Sequence, residues 1–141
     1  MTDLGFLLEE AKKARENSYS PYSHFAVGAA LLTENGRIIR GCNVENSVNG
    51  ASNCAERTAV FSAVAQGEKN FSAIAIAGAR VLPDGTRVEA FCPPCGVCRQ
   101  TLLEFCSEDL SVIIGKEDGT YMVTTLGELM PLAFDLGSVA N

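Results

Sequence analysis

Two short cysteine-bearing segments, far apart in the chain, restrict this sequence more than any other feature. One is Asn53-Cys54-Ala55-Glu56-Arg57; the other is Pro93-Pro94-Cys95-Gly96-Val97-Cys98-Arg99-Gln100. Cys95 and Cys98 are spaced i, i+3 near an expected helix start, so both sulfurs can face one point. Cys54 opens another expected helix. Free amide N–H groups at helix starts favour anions and would stabilise thiolates as metal ligands. If all three sulfurs share one metal, the fold must bring those two helix starts together.

The metal can be narrowed by what the chain lacks. There are six cysteines and a single histidine, His24, which reads as a surface residue rather than a ligand. A site built on sulfur points to zinc or an iron–sulfur cluster. Three protein ligands on tetrahedral zinc leave a position open for water, the catalytic arrangement. Glu56, two residues past Cys54, is then placed to move protons rather than to bind metal. Arg57 and Arg99, close in sequence to the cysteines, could offset the thiolate charge. Other readings of the same spacing stay open. Cys92 could close a four-sulfur structural zinc, the CxxC could be a redox pair, and the C-x2-C-x2-C run partly matches an iron–sulfur pattern whose next cysteine is replaced by Leu102. Cys42, Cys92 and Cys106 otherwise read as small, buried or semi-buried residues.

Around these segments the chain reads as one α/β domain over residues 1–141. Residues 3–17 predict an amphipathic helix with Leu4, Leu7, Leu8, Ala11 and Ala14 on one face. Strands are predicted over 25–33 and 37–42, joined by the Glu34-Asn35-Gly36 turn, followed by a polar loop over 43–53. A helix over 54–66 leads to an almost wholly apolar strand over 71–77, which suggests burial on both faces. Leu82-Pro83-Asp84-Gly85-Thr86 reads as a turn between two β-like pieces. A helix over 96–105, strands over 111–115 and 121–124, and a short helix over 126–130 complete a mixed sheet of about five strands. The net charge of −6, with scattered Lys and Arg, disfavours a long nucleic-acid partner and suits a small neutral ligand. No apolar run approaches the roughly 20 residues of a transmembrane helix. The start of the chain lacks a signal-peptide pattern, so no membrane partner and a cytoplasmic location are expected.

Taken together, the motifs resemble those of the zinc-dependent cytidine deaminases, in the small homotetrameric form with three cysteine ligands. The likeness runs through Tyr19-Ser20-Pro21-Tyr22-Ser23-His24-Phe25, Val27-Gly28-Ala29-Ala30, Gly41-Cys42-Asn43-Val44-Glu45-Asn46 and Cys54-Ala55-Glu56-Arg57. It continues through Pro94-Cys95-Gly96-Val97-Cys98-Arg99-Gln100 and the 127–134 segment. The resemblance implies a cytidine-deaminase-like three-layer fold, one Zn2+ per subunit on Cys54, Cys95 and Cys98, and Glu56 as proton shuttle. It implies a hydrolase acting on a cyclic amidine, in which hydroxide on zinc attacks C4 of cytidine or 2′-deoxycytidine, yielding the uridine and ammonia in pyrimidine salvage. Phe25 would pack against the pyrimidine, Ala55 would offer backbone contact to the base, and Asn43 and Glu45 would hold the ribose hydroxyls. Arg57 would hydrogen-bond the thiolates, and Phe134 would stack on the base of a neighbouring subunit.

Two departures from that pattern bear on specificity. Asn49 stands where a Tyr is usual, and residues 80–91 look longer than usual, as if a small hairpin were inserted. Loss of the Tyr is expected to widen the site towards cytidines with altered 4-substituents or bases, and the hairpin to alter the pocket rim or the subunit contacts. The less favoured reading is a structural-zinc binding protein.

Overall fold

A computed structural model of the protein describes residues 4–137. In chain order the elements are α1 (Gly5–Arg15), β1 (Phe25–Thr33), β2 (Ile38–Cys42), a short 3-10 turn (Asn49–Ala51), α2 (Ala55–Ala65), β3 (Phe71–Val81), β4 (Arg87–Ala90), α3 (Gly96–Phe105), β5 (Ser111–Gly115), β6 (Tyr121–Thr125) and α4 (Leu126–Leu129). Five strands lie in the order β2-β1-β3-β5-β6, and β4 pairs with β3 beside that path. Only β3 and β5 run parallel; every other pairing is antiparallel. The sheet is therefore mixed, as expected, but has six strands among the described residues rather than five.

The sixth strand comes from the segment that looked overlong. Gly85, at φ +87°, turns the chain between Val81 and Arg87. Leu82 and Thr86 close this hairpin with a backbone hydrogen bond of 2.8 Å. It also lengthens β3 beyond the apolar run that marked the strand in the sequence: Gly78 to Val81 pair with β4, and Gly78 to Arg80 pair with β1 on the other side. Pairing on both edges overrides the weak strand signal of Gly78 and the charge of Arg80.

Side-chain size decides which helix lies on which face. On β3, Ala73, Ala75 and Ala77 face α1, together with Ile113 of β5 and Leu7, Leu8 and Ala11 of the helix. Ile74 and Ile76 face the other way, into the core formed with Ala59, Val60 and Leu102 of α2 and α3. The two-residue alternation thus gives each face its own core, which explains why the strand reads as continuously apolar. The result is three layers, helix–sheet–helix.

Two glycines allow the helices to lie directly on the sheet. A Cβ on Gly28 would stand 2.0 Å from the Ala11 carbonyl of α1, and one on Gly41 would stand 2.5 Å from both Ala55 O and Ala59 N of α2. These are backbone atoms, so α2 could move aside only as a body, and α2 carries the metal-site segment at its start. Gly41→Ala is expected to destabilise the fold by about 1–3 kcal/mol through overpacking. It should also lower the zinc content of purified protein. Thermal unfolding and metal analysis check this; an unchanged melting temperature would show that α2 has slack.

Candidate active site

The starts of α2 and α3 meet at the sheet. Cys54 is the N-cap of α2 and Cys95 the N-cap of α3, both with extended backbone, and Cys98 lies in the first turn of α3. Neither cap makes a side-chain hydrogen bond to its helix. Both thiols are free to turn towards each other instead.

The three sulfurs lie within 4.8 Å of one another. Cys54 and Cys95 are separated by 3.8 Å, and Cys95 and Cys98 by 3.3 Å. Zinc–sulfur bonds of about 2.3 Å at tetrahedral angles require sulfurs about 3.8 Å apart, so this cradle fits a zinc ion. Cys92 does not belong to the group, which leaves a position unclaimed by protein sulfur among the described residues. Burial, with Glu56 and Cys54 nearby, pushes the Cys92 thiol up to about 12. It is held as a thiol.

Neighbouring groups set the charge of the cradle. Cys54 is held down at about 5 by the hydrogen bond from Cys98, opposed by burial and reinforced by Arg57. Cys98, fully buried, is raised by that same hydrogen bond and by its burial. Metal binding would release the protons that the cysteines still carry. Arg57 donates from Nη2 to Cys54 Sγ at 3.3 Å. Its Nε is buried with no hydrogen-bond partner among the described residues.

Arg99 does not share that task. It donates from Nε to the Pro94 carbonyl at 2.7 Å and from Nη1 to the Leu129 carbonyl at 3.0 Å. Sequence proximity suggested thiolate charge tuning for both arginines; only Arg57 is turned to the thiolates. Arg99 instead fastens the Cys95 loop to α4.

Glu56 lies in the first turn of α2, only 4 % exposed. Burial raises its carboxyl to about 7, opposed in part by a backbone hydrogen bond and added to by the Cys54 charge. A carboxyl that exchanges its proton near neutral pH, beside a metal cradle, is suited to acid–base work.

All of this opens on a cavity of about 350 Å³. Cys54, Ala55, Glu56, Arg57 and Cys95 line it, as do Asn43, Glu45 and Asn49. Residues 43–53, read from the sequence as a polar loop, reach the cavity because three loop strands are stitched together. Tyr19 bridges to Val44 and Val44 to Asn53, with backbone hydrogen bonds of 2.8–3.0 Å. Asn43 accepts from Val27 N at 2.9 Å and from Ser18 Oγ, and donates from Nδ2 to the Phe25 carbonyl at 2.8 Å. Glu45 Oε1 accepts from the Tyr22 and Ser23 amides, both at 3.0 Å, and Oε2 accepts from Ser23 Oγ. Burial acts to raise Glu45, but the bonds from Ser23 and Tyr22 outweigh it and hold the carboxyl below its usual range.

Two expected contacts do not line this cavity. Phe25, half-buried at the start of β1, packs over Gly78, where a Cβ would meet its ring at 3.0 Å and Cys92 Cβ at 2.6 Å. Phe134 is 60 % exposed, its carbonyl accepting from Gln100 Nε2 at 2.8 Å. Conversely, Val27, Ser52, Asn53, Cys92 and Pro93 line the cavity without having been singled out for it. Adjacency to the ligands Cys54 and Cys95 was the available signal for Asn53 and Pro93; Val27 had none beyond its strand position. His24 is exposed, as expected, with the left-handed φ of 58°.

A three-cysteine metal cradle with a position unclaimed by protein sulfur, sharing a small cavity with a buried carboxyl, defines a metal-dependent hydrolytic enzyme. Residues 1–114 match the family described as the cytidine and deoxycytidylate deaminase zinc-binding region. The chain is 46 % identical over 132 residues to the cytidine deaminase of Sporosarcina psychrophila, covering 94 % of this chain and 91 % of that one. It is 45 % identical over 132 residues to that of Halalkalibacterium halodurans, covering 94 % of each. The crystal structure of the Burkholderia pseudomallei cytidine deaminase superposes with a TM-score of 0.82 at 46 % identity, covering 95 % of this chain and 100 % of that chain. The chain belongs to the cytidine and deoxycytidylate deaminase zinc-binding family.

Proposed function

We propose that the protein converts cytidine and 2′-deoxycytidine to the corresponding uridines by hydrolysis, releasing ammonia. The observation that carries this reading is the meeting of Cys54, Cys95, Glu56, Asn43 and Glu45 on one cavity. Zinc held by Cys54, Cys95 and Cys98 would make a water nucleophilic at neutral pH. Glu56 takes a proton from the water that adds to C4 and passes it to N3. It then takes the remaining proton from the new C4 hydroxyl and delivers it to the 4-amino group, so that the C4–N bond breaks, the C4 carbonyl forms and ammonia leaves. Arg57 limits the negative charge that three thiolates would otherwise place on the metal.

The other site assignments follow from what each side chain has left to offer. Asn43 retains one N–H and Glu45 a free lone pair on Oε2 after their internal bonds, enough to hold two ribose hydroxyls. Ala55, fully buried at the start of α2, presents backbone to the base. Phe25 supports the pyrimidine from the face it shares with Cys92. Phe134, exposed and absent from its own cavity, reaches the site of a neighbouring subunit in a homotetramer. Exposed Phe61 and Val97 supply apolar surface for that assembly. Pyrimidine salvage in the cytoplasm suits an enzyme whose six cysteines are all free thiols. No helix of the described residues is long and apolar enough to cross a membrane.

Ammonia release from a panel of cytidine, 2′-deoxycytidine, cytosine and adenosine tests the substrate. Rapid turnover of the two cytosine nucleosides and none of adenosine is expected. Turnover of adenosine in their place would overturn the reading.

A further inference from the structure

Strand register brings an ion pair to the start of the segment that carries Cys95. Glu89 of β4 lies opposite Ala79 of β3, in step with Ala73, Ala75 and Ala77, so its side chain is on the α1 face of the sheet. There its Oε2 is 2.8 Å from Nη1 of Arg15, the last residue of α1. The same Nη1 donates to the Gly78 carbonyl of β3 at 3.2 Å. Lys12 Nζ stands 4.0 Å from the other carboxylate oxygen. The Arg15 side chain is only 10 % exposed, and its Nε is buried with no hydrogen-bond partner among the described residues. Arg15 is a fixed anchor: Gly28 lets α1 lie so close to β1 that a Cβ there would stand 2.4 Å from Arg15 N.

Beyond Glu89 the chain runs straight to the metal cradle. Ala90 ends β4, and residues 91–95 have no regular structure before α3 begins at Gly96. Cys92 and Pro93 line the main cavity, and Cys95 belongs to the cradle. Cys92 also packs on Gly78 from the face opposite α1, where a Cβ would meet it at 2.6 Å. At the far end Arg99 holds the segment through the Pro94 carbonyl. Neither Arg15 nor Glu89 lines the cavity.

We infer that the Arg15–Glu89 ion pair positions the 91–95 segment, setting how firmly Cys95 holds zinc and how well the Cys92–Pro93 wall fits the substrate. Both are positioning residues, acting through the segment they tether. Without the carboxylate, β4 keeps its backbone pairing with β3 but loses its tie to α1. The segment then gains freedom that zinc or substrate must remove again on binding. Cys54 and Glu56 stand at the start of α2, outside the tether, so the chemical step is spared. The substrate half of the inference rests on reading the cavity as a nucleoside site; the zinc half does not.

The test compares the zinc-loaded parent with Glu89→Gln, Glu89→Ala and Arg87→Ala. Arg87 is exposed on the same strand and outside the ion pair, so its removal changes the hairpin without cutting the tether. Zinc loss to an excess of chromophoric chelator should be about three- to tenfold faster in Glu89→Ala, short of the effect of removing a direct partner of a metal ligand. KM for cytidine at saturating zinc should rise by about three- to tenfold, with kcat within about twofold. Glu89→Gln keeps a neutral acceptor for Arg15 and should fall between the parent and Glu89→Ala in both measurements. Arg87→Ala should match the parent. Unchanged zinc release or unchanged KM in Glu89→Ala, even with a lowered melting temperature, makes the pair merely structural and overturns the inference. Equal effects from Arg87→Ala overturn it too, because they belong to the hairpin as a whole. Should Glu89→Ala not fold, Glu89→Gln is read against the parent by the same measurements. Absence of cytidine turnover in the zinc-loaded parent overturns the nucleoside reading, and the chelator comparison still decides the tether.

Discussion

Glu56→Gln is expected to retain a full complement of zinc and to lose activity on cytidine by about 10²–10⁴-fold in kcat. The substitution keeps the size of the side chain and its place in the first turn of α2, where only 4 % of the residue is exposed. It removes the one group on the cavity whose environment lets it both accept and return a proton near neutral pH. A carboxamide cannot make that exchange. KM should change far less than kcat, because the ribose contacts assigned to Asn43 and Glu45 are untouched. Metal analysis alongside steady-state kinetics checks this; a zinc-replete variant with more than about a tenth of the parent kcat would show that another group moves the protons.

Loss of the metal is expected to have the second large effect. A chelator should abolish activity, and added zinc should restore it; Cys98→Ala should be inactive and beyond rescue. Cys98 is fully buried, and the three sulfurs join the starts of α2 and α3, so the ion couples chemistry to fold. At a free zinc concentration about 1,000 times Kd, the ion contributes about 4 kcal/mol of stability. Stripping it should lower the melting temperature by roughly 10 °C or more. The thiols must lose protons to bind zinc, so chelation should become easier as pH falls. A protein whose melting temperature ignores zinc would refute the coupling.

Much of this was legible in the sequence, for identifiable reasons. The metal cradle could be read because a helix start turns residues i and i+3 to one side, which is local geometry. The helix cores and the three hairpin turns, at Gly36, Gly85 and Gly119, were legible from periodicity and glycine. What escaped reading depended on distant partners. Strand β4 and the far end of β3, read only as β-like pieces about a turn, were left out of the strand count because they exist through mutual pairing across residues of weak strand preference. Arg57 and Arg99 both lie close to the cysteines in sequence, and the Pro94 and Leu129 carbonyls that hold Arg99 separate their roles. Asn43 and Glu45 were placed by resemblance alone. Nothing local reveals that each is already fixed by partners from Ser18 to Val27.

The central claim is that water replaces the 4-amino group of a cytosine nucleoside at the cavity shared by Glu56 and the three cysteines. It is tested most directly by incubating the zinc-loaded protein with cytidine in oxygen-labelled water and analysing both products. The account predicts uridine carrying the label at O4 with one ammonia released per uridine formed, and neither product from Glu56→Gln at comparable rate. Ammonia without labelled uridine, or no conversion by a zinc-replete folded protein, would contradict it.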